Sequence, residues 1–127
     1  MIVLDANVLI PYFKRDDAHD ARAFKIIGTG EALAMHPITL AECAVGPTRA
    51  KQVAFFRQAI GQLGLDIWKP DDEHPFRLAQ LRIITPLKLP DCCALDTARY
   101  LGATLATFDQ ALAKQAKSLG VEVTGGQ

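Results

Sequence analysis

Asp5 follows the apolar run Ile2-Val3-Leu4, and the end of a buried strand is costly ground for an unpaired carboxylate. Three more acids stand at comparable positions. Glu42 falls on a short helix after Pro37, Asp91 opens a helix after Pro90, and Asp109 follows Ala103-Thr104-Leu105-Ala106-Thr107. Carboxylates gathered at one edge of a sheet repel one another, so their site either holds protons or recruits a hard cation. Oxygen donors without accompanying His or Cys suit Mg²⁺ or Mn²⁺ rather than zinc, and Mg²⁺ keeps waters that exchange for phosphate oxygens. The chemistry indicated is phosphoryl transfer to water, with Asp5, Glu42, Asp91 and Asp109 as both metal ligands and catalytic acids.

Each acid also has a structural explanation. Thr39-x-x-Glu42 matches a capping box, Asp91 is a favourable first-turn charge, and Asp109 can cap a helix from Gln110. Asp5 is the hardest to dismiss. Asp96 is a fifth acid nearby, but five positions beyond Asp91 it points about 140° away on a helix, so an ion pair with Arg99 or Lys88 is expected instead. His36, alone after an apolar strand, reads as structural.

The elements that must position these acids alternate. Ile2-Val3-Leu4 is a strand, followed by a helix that Asn7 caps before Val8-Leu9-Ile10. A second helix fits residues 19–27, and Ala32-Leu33-Ala34-Met35 is the next strand. A short helix starts near Thr39 and ends at Gly46-Pro47, and a longer one fits residues 49–63 with a stripe of Val53, Phe56 and Ile60. Residues 65–68 form a strand. Asp71-Asp72-Glu73 occupy the first turn of a helix reaching about residue 83, where they complement its dipole. A loop over residues 85–90 leads to the Asp91 helix, which Gly102 closes; residues 103–107, 110–119 and 121–123 then read as strand, helix and strand. Short apolar strands alternating with helices imply a parallel sheet covered on both faces. Ligands of such sheets bind outside the carboxyl ends of strands, where Asp5, Thr107 and Asp109 fall.

Composition sets the frame. The 127 residues suit one domain over 1–127, half of them hydrophobic and 22% charged, the balance of an ordered chain. The start at Met1 has neither the basic residues nor the long apolar run of a secretory signal, and no stretch reaches the roughly 18 to 20 residues of a membrane span, so a cytoplasmic location is expected. Cys43, Cys92 and Cys93 form no even framework and no C-x-x-C pair, and read as reduced buried side chains. Net charge is zero, but setting aside the four candidate ligands leaves 10 acids against 14 bases, a surplus of four that suits a phosphate partner. Lys14, Arg15, Arg22, Lys25, Lys114 and Lys117 can flank a nucleic-acid path.

The segments Val3-Leu4-Asp5-Ala6-Asn7-Val8-Leu9, Ile38-Thr39-Leu40-Ala41-Glu42, Leu89-Pro90-Asp91 and Gly102-Ala103-Thr104-Leu105-Ala106-Thr107-Phe108-Asp109 resemble, in order and spacing, the PIN-domain family, particularly its VapC toxins. The resemblance implies a three-layer α/β/α fold with a central, mostly parallel sheet of about five strands. It also implies metal-dependent cleavage of RNA by a homodimer that a small antitoxin protein inhibits, with residues 8–27 as the antitoxin surface. Asp5, Glu42, Asp91 and Asp109 carry over as metal-site acids, while Asn7 and Thr107 orient ligands or bound water. Three alternatives stay open: a haloacid-dehalogenase-type phosphatase, for which Asn7 is the wrong residue two positions after Asp5; a receiver-like phosphoacceptor domain, with Lys69-Pro70; and a PIN scaffold that binds RNA or protein without cutting.

Overall fold

The computed structural model describes residues 1–14 and 19–125. Arg15, one of the candidate flanking bases, lies outside them. The elements follow one another as β1 (Ile2–Leu4), α1 (Ala6–Phe13), α2 (Asp20–Ile27), β2 (Leu33–Met35), α3 (Pro37–Arg49), α4 (Val53–Leu63), β3 (Asp66–Ile67), α5 (His74–Ile84), α6 (Leu89–Leu101), β4 (Thr104–Ala106), α7 (Gln110–Ser118) and β5 (Val123–Thr124). The five strands form one sheet in the order β3-β2-β1-β4-β5, with every pairing parallel. Among the described residues no helix is long and apolar enough to cross a membrane.

The strands are short and apolar because both faces of the sheet are covered, and the two-residue side-chain period divides them between the faces. Ile2 and Leu4 pack with Val8, Leu9, Ile26, Ile27 and Phe56 from α1, α2 and α4. Val3 and Leu105 point the other way, into a cluster with Leu81, Leu95, Ala98 and Leu112 from α5, α6 and α7. The topology explains the division. From β1 through β2 to β3 the chain moves outward in one direction, then returns to β4 on the far side of β1 and continues to β5. Right-handed crossovers in opposite directions place their helices on opposite faces. Between β1 and β4 the outgoing chains therefore part to opposite faces, which opens a crevice at the carboxyl ends of these two strands. A receiver domain sets β1 beside β3, whereas here β1 lies between β2 and β4, so the receiver-like alternative lacks its fold.

Several helix boundaries differ from the sequence expectation. Asp5, not Asn7, is the N-cap of α1, its carboxylate accepting from the Ala6 N–H. His36 caps α3 by accepting from the Ile38 N–H, with Pro37 in the first turn, so Thr39 is already inside the helix and the capping box with Glu42 does not form. Gly46-Pro47 does not end α3 either. Pro47 removes one donor, but it lies in the last turn, where the chain is closed by the Ala50 N–H donating to the Gly46 carbonyl. The break comes four residues after Pro47, at Lys51, whose φ of 58° is left-handed. The helix bearing Asp91 also begins earlier than expected, at Leu89, with Lys88 as the cap residue and Pro90 in the first turn.

Candidate active site

Asp5 and Thr107 leave adjacent parallel strands at the crevice between β1 and β4, and they bond across it. The Thr107 hydroxyl donates to Asp5 Oδ2 at 2.8 Å, and the Ala6 N–H donates to Asp5 Oδ1 at 2.8 Å. Thr107 is fully buried, and its oxygen also accepts from the Asp109 N–H at 3.0 Å and from Asn7 Nδ2 at 3.3 Å. Asn7 Oδ1 in turn accepts from the Phe108 N–H at 3.0 Å. Asp109 caps α7 as expected, its Oδ1 accepting from the Ala111 and Leu112 N–H groups at 2.9 and 3.1 Å. One hydroxyl thus ties Asp5, Asn7 and the backbone of Asp109 into a single unit.

Glu42 and Asp91 come from helices and join this unit through charge rather than hydrogen bonds. Asp5 is 8% exposed, and burial pushes its carboxyl up to about 6; the bonds from Thr107 and Ala6 oppose the rise, while the charges of Asp91 and Glu42 add to it. Asp91, half-buried in the first turn of α6, is raised by burial and then by Asp109, against a lowering by Lys88. Glu42 is exposed and is raised by burial of its stem and then by Asp91. Asp91 therefore acts on both Asp5 and Glu42, and Asp109 acts on Asp91. Neighbouring Cys43 is pushed up to about 12 by burial and by Glu42 and Asp5, which favours the thiol over the thiolate there.

The donor set fits a hard divalent cation. Four carboxylates and two neutral oxygens from Asn7 and Thr107 supply oxygen only, and the raising of Asp5, Glu42 and Asp91, by burial first and then by neighbouring acids, is a destabilisation that a bound cation offsets. Among the described residues no three of these carboxylates have oxygens within 4.8 Å of one another. As placed, no more than two of them can ligate one Mg²⁺ directly, which leaves the other acids to act through water that the ion retains.

The group that does meet so closely is a different one: His36, His74 and Cys93, all buried. Asp96 belongs to it as well. Its expected pairing with Arg99 or Lys88 is not observed; it is 2% exposed and bonded to His74 Nδ1 at 2.6 Å and Arg77 Nε at 2.9 Å. His36 is structural, as expected, but not alone, since its Nε2 lies 2.8 Å from His74 Nε2. The sequence carried one signal for this network: His74 and Arg77 are three residues apart and share a helix face. Asp71, expected in the first turn of α5, lies just before that helix and forms a paired bond with Arg77, which holds its carboxyl down at about 2.

A family model described as the PIN domain matches residues 2–118 of the chain. Comparison with the sequences of curated proteins finds no match. Among solved structures, a toxin–antitoxin complex from Klebsiella pneumoniae is similar at 25% identity with a TM-score of 0.74, over 89% of this chain and 90% of that one. FitAcB from Neisseria gonorrhoeae is similar at 21% identity and a TM-score of 0.75, over 97% and 96% of the two chains. VapC20 from Mycobacterium tuberculosis, a toxin that cleaves the sarcin-ricin loop, shares the fold at 12% identity and a TM-score of 0.73, over 95% and 96%.

Proposed function

The chain belongs to the PIN-domain family, and from that premise we propose that it is the ribonuclease toxin of a toxin–antitoxin pair, hydrolysing RNA phosphodiester bonds with Mg²⁺ or Mn²⁺. The observation that carries this reading is the meeting of strand ends β1 and β4, where buried Asp5 is fixed by Thr107 within the field of Asp91 and Glu42. Asp5, Glu42, Asp91 and Asp109 would hold the cation, and Asn7 and Thr107 would orient ligands or water. The bound cation supplies a water of lowered pKa and stabilises charge on the scissile phosphate. The chain's own contribution is placement. Asp5 presents a carboxylate whose two oxygens are each already bonded once, so its orientation is set before any ligand arrives. Asp91, set in the first turn of α6, brings a carboxylate to the same site from a helix rather than from a strand end.

The toxin assignment is supported by the similarity to a Klebsiella toxin–antitoxin complex over nearly the whole of both chains. On this reading the working form is a homodimer in the cytoplasm, and a small antitoxin protein covers the surface of α1 and α2. The phosphatase alternative is disfavoured by Asn7, whose side-chain oxygen is committed to the Phe108 N–H and has no proton to give.

Incubating total cellular RNA with the purified chain and Mn²⁺ tests the proposal. Because water rather than the ribose hydroxyl attacks, the expected products carry 5′-phosphate ends, measured by ligation to an adapter without prior phosphorylation. Products with 5′-hydroxyl ends, or cleavage that persists in excess chelator, contradict the mechanism. Labelling by acetyl phosphate instead of RNA cleavage would favour a phosphoacceptor.

A further inference from the structure

We infer that the buried chain Arg77–Asp96–His74–His36 holds the helix bearing Glu42 in register with the helix bearing Asp91, so that His36 and His74 are positioning residues for the acidic site. This rests on the reading of that site as a metal centre.

The proton order along the chain follows from its ends. The Ile38 N–H donates to His36 Nδ1 at 2.9 Å. A neutral imidazole carries one proton, so His36 Nε2 must bear it and donate to His74 Nε2 at 2.8 Å. His74 Nδ1 then carries the second ring's proton and donates to Asp96 Oδ2 at 2.6 Å. Asp96 also receives Arg77 Nε at 2.9 Å and Nη2 at 3.0 Å, and Arg77 is held from its other side by Asp71. Each ring N–H has one acceptor and neither tautomer is free to change. Burial lowers His36 to about 4, which keeps its ring neutral as the order requires.

The chain's route gives it a role beyond capping. His36 is the N-cap of α3, six residues before Glu42, and Asp96 lies on α6, five residues after Asp91. His74 and Arg77, from α5, join the two. Asn, Asp or Ser would cap α3 as well as His does, but none of these reaches a second helix. Trp68 closes the network from outside, its ring 5.1 Å from that of His74 and 5.3 Å from Tyr100, over which Arg77 is stacked. Water cannot easily replace a lost bond in such surroundings, so a break shifts the helices instead. Cys93 Sγ lies within 4.8 Å of the two histidine nitrogens, and the three are of the donor types that a soft metal takes. A metal on His36 Nε2 would move that ring's proton to Nδ1, against the Ile38 N–H. The hydrogen-bonded chain avoids this conflict.

His36→Asn isolates the effect, because the Asn oxygen falls near the Nδ1 position and keeps the cap while no atom remains to reach His74. Mn²⁺ binding to the acidic site, followed by electron paramagnetic resonance of the whole protein, is expected to weaken about three- to tenfold. His74→Asn, which retains a donor to Asp96 but loses His36, is expected to match it and serves if His36→Asn does not fold. Unchanged Mn²⁺ affinity in both variants would reduce His36 to a cap and overturn the inference. If wild type and Asp91→Asn bind Mn²⁺ alike, it is the acidic-site reading that fails, and this inference with it. A thiolate-to-cobalt absorption band in wild type that Cys93→Ser removes would make the cluster a metal site and likewise overturn it.

Discussion

Replacing Asp5 with Asn is expected to reduce RNA cleavage by about a thousandfold while raising the melting temperature at pH 8. The two effects have one cause. Asp5 is buried, and burial with the nearby Asp91 and Glu42 charges lifts its carboxyl from 3.8 to about 6. A carboxyl raised in the folded state favours folding fully only below the unfolded value, and that contribution is lost as the pH rises through about 6. At pH 8 the ionised group therefore costs the fold about 3 kcal/mol, corresponding to roughly two pKa units. Asn removes this cost but sets an amide against either the Ala6 N–H or the Thr107 hydroxyl, which returns about 1 kcal/mol. A net gain of about 2 kcal/mol raises the melting temperature by several degrees. The gain should disappear near pH 4, where Asp5 is itself largely protonated and only the amide mismatch remains. Calorimetry at pH 4 and pH 8 checks the sign, and a variant less stable than wild type at pH 8 contradicts it. Cleavage falls because a neutral ligand stabilises the cation poorly, and a loss of about 4 kcal/mol in the transition state is a thousandfold in rate.

Thr107→Val keeps the side-chain shape and removes only the hydroxyl. The Asp109 N–H and Asn7 Nδ2 then lose their shared acceptor, and Asp5 Oδ2 loses its donor. Leaving such groups unpaired at a fully buried position costs about 2 to 3 kcal/mol. The Thr107 bond is also the largest influence holding the Asp5 carboxyl down, so its removal raises that group further and leaves less carboxylate at neutral pH. Cleavage is expected to fall about a hundredfold, as when partners that orient metal ligands are lost. Thr107→Ser should restore most of the activity and stability. Denaturant unfolding and initial cleavage rates measure both; equal rates for Val and Ser would separate the hydroxyl from function.

Asp5 was legible in the sequence because three apolar residues precede it and a carboxylate at a buried strand end demands a reason. Asp109 was legible as a cap because Gln110 to Ser118 is strongly amphipathic. Glu42 was only half legible. Thr39-x-x-Glu42 fits a capping box, but Pro37 starts the helix two residues earlier, and His36, a less common cap, takes the place of Thr39. Asn7 was misplaced for the same reason, since Asp5 both ends the strand and caps the helix. The strand order also escaped the sequence, because alternating strands and helices fix the layers but not which strand β4 returns beside. The His36–His74–Asp96 network was the least legible part. Its members are separated by up to 60 positions, and their meeting depends on the return of α6 against the start of α3.

Mn²⁺-dependent cleavage of total cellular RNA, compared between wild type and Asp91→Asn at equal folded concentration, tests the central claim most directly. Asp91 suits the comparison because it is half-buried in the first turn of a helix, where Asn is tolerated with little loss of stability. The account predicts cleavage by wild type, its loss in chelator, and a rate for Asp91→Asn lower by at least about a hundredfold. Equal cleavage by the two proteins, or none by wild type with either Mg²⁺ or Mn²⁺, would contradict it.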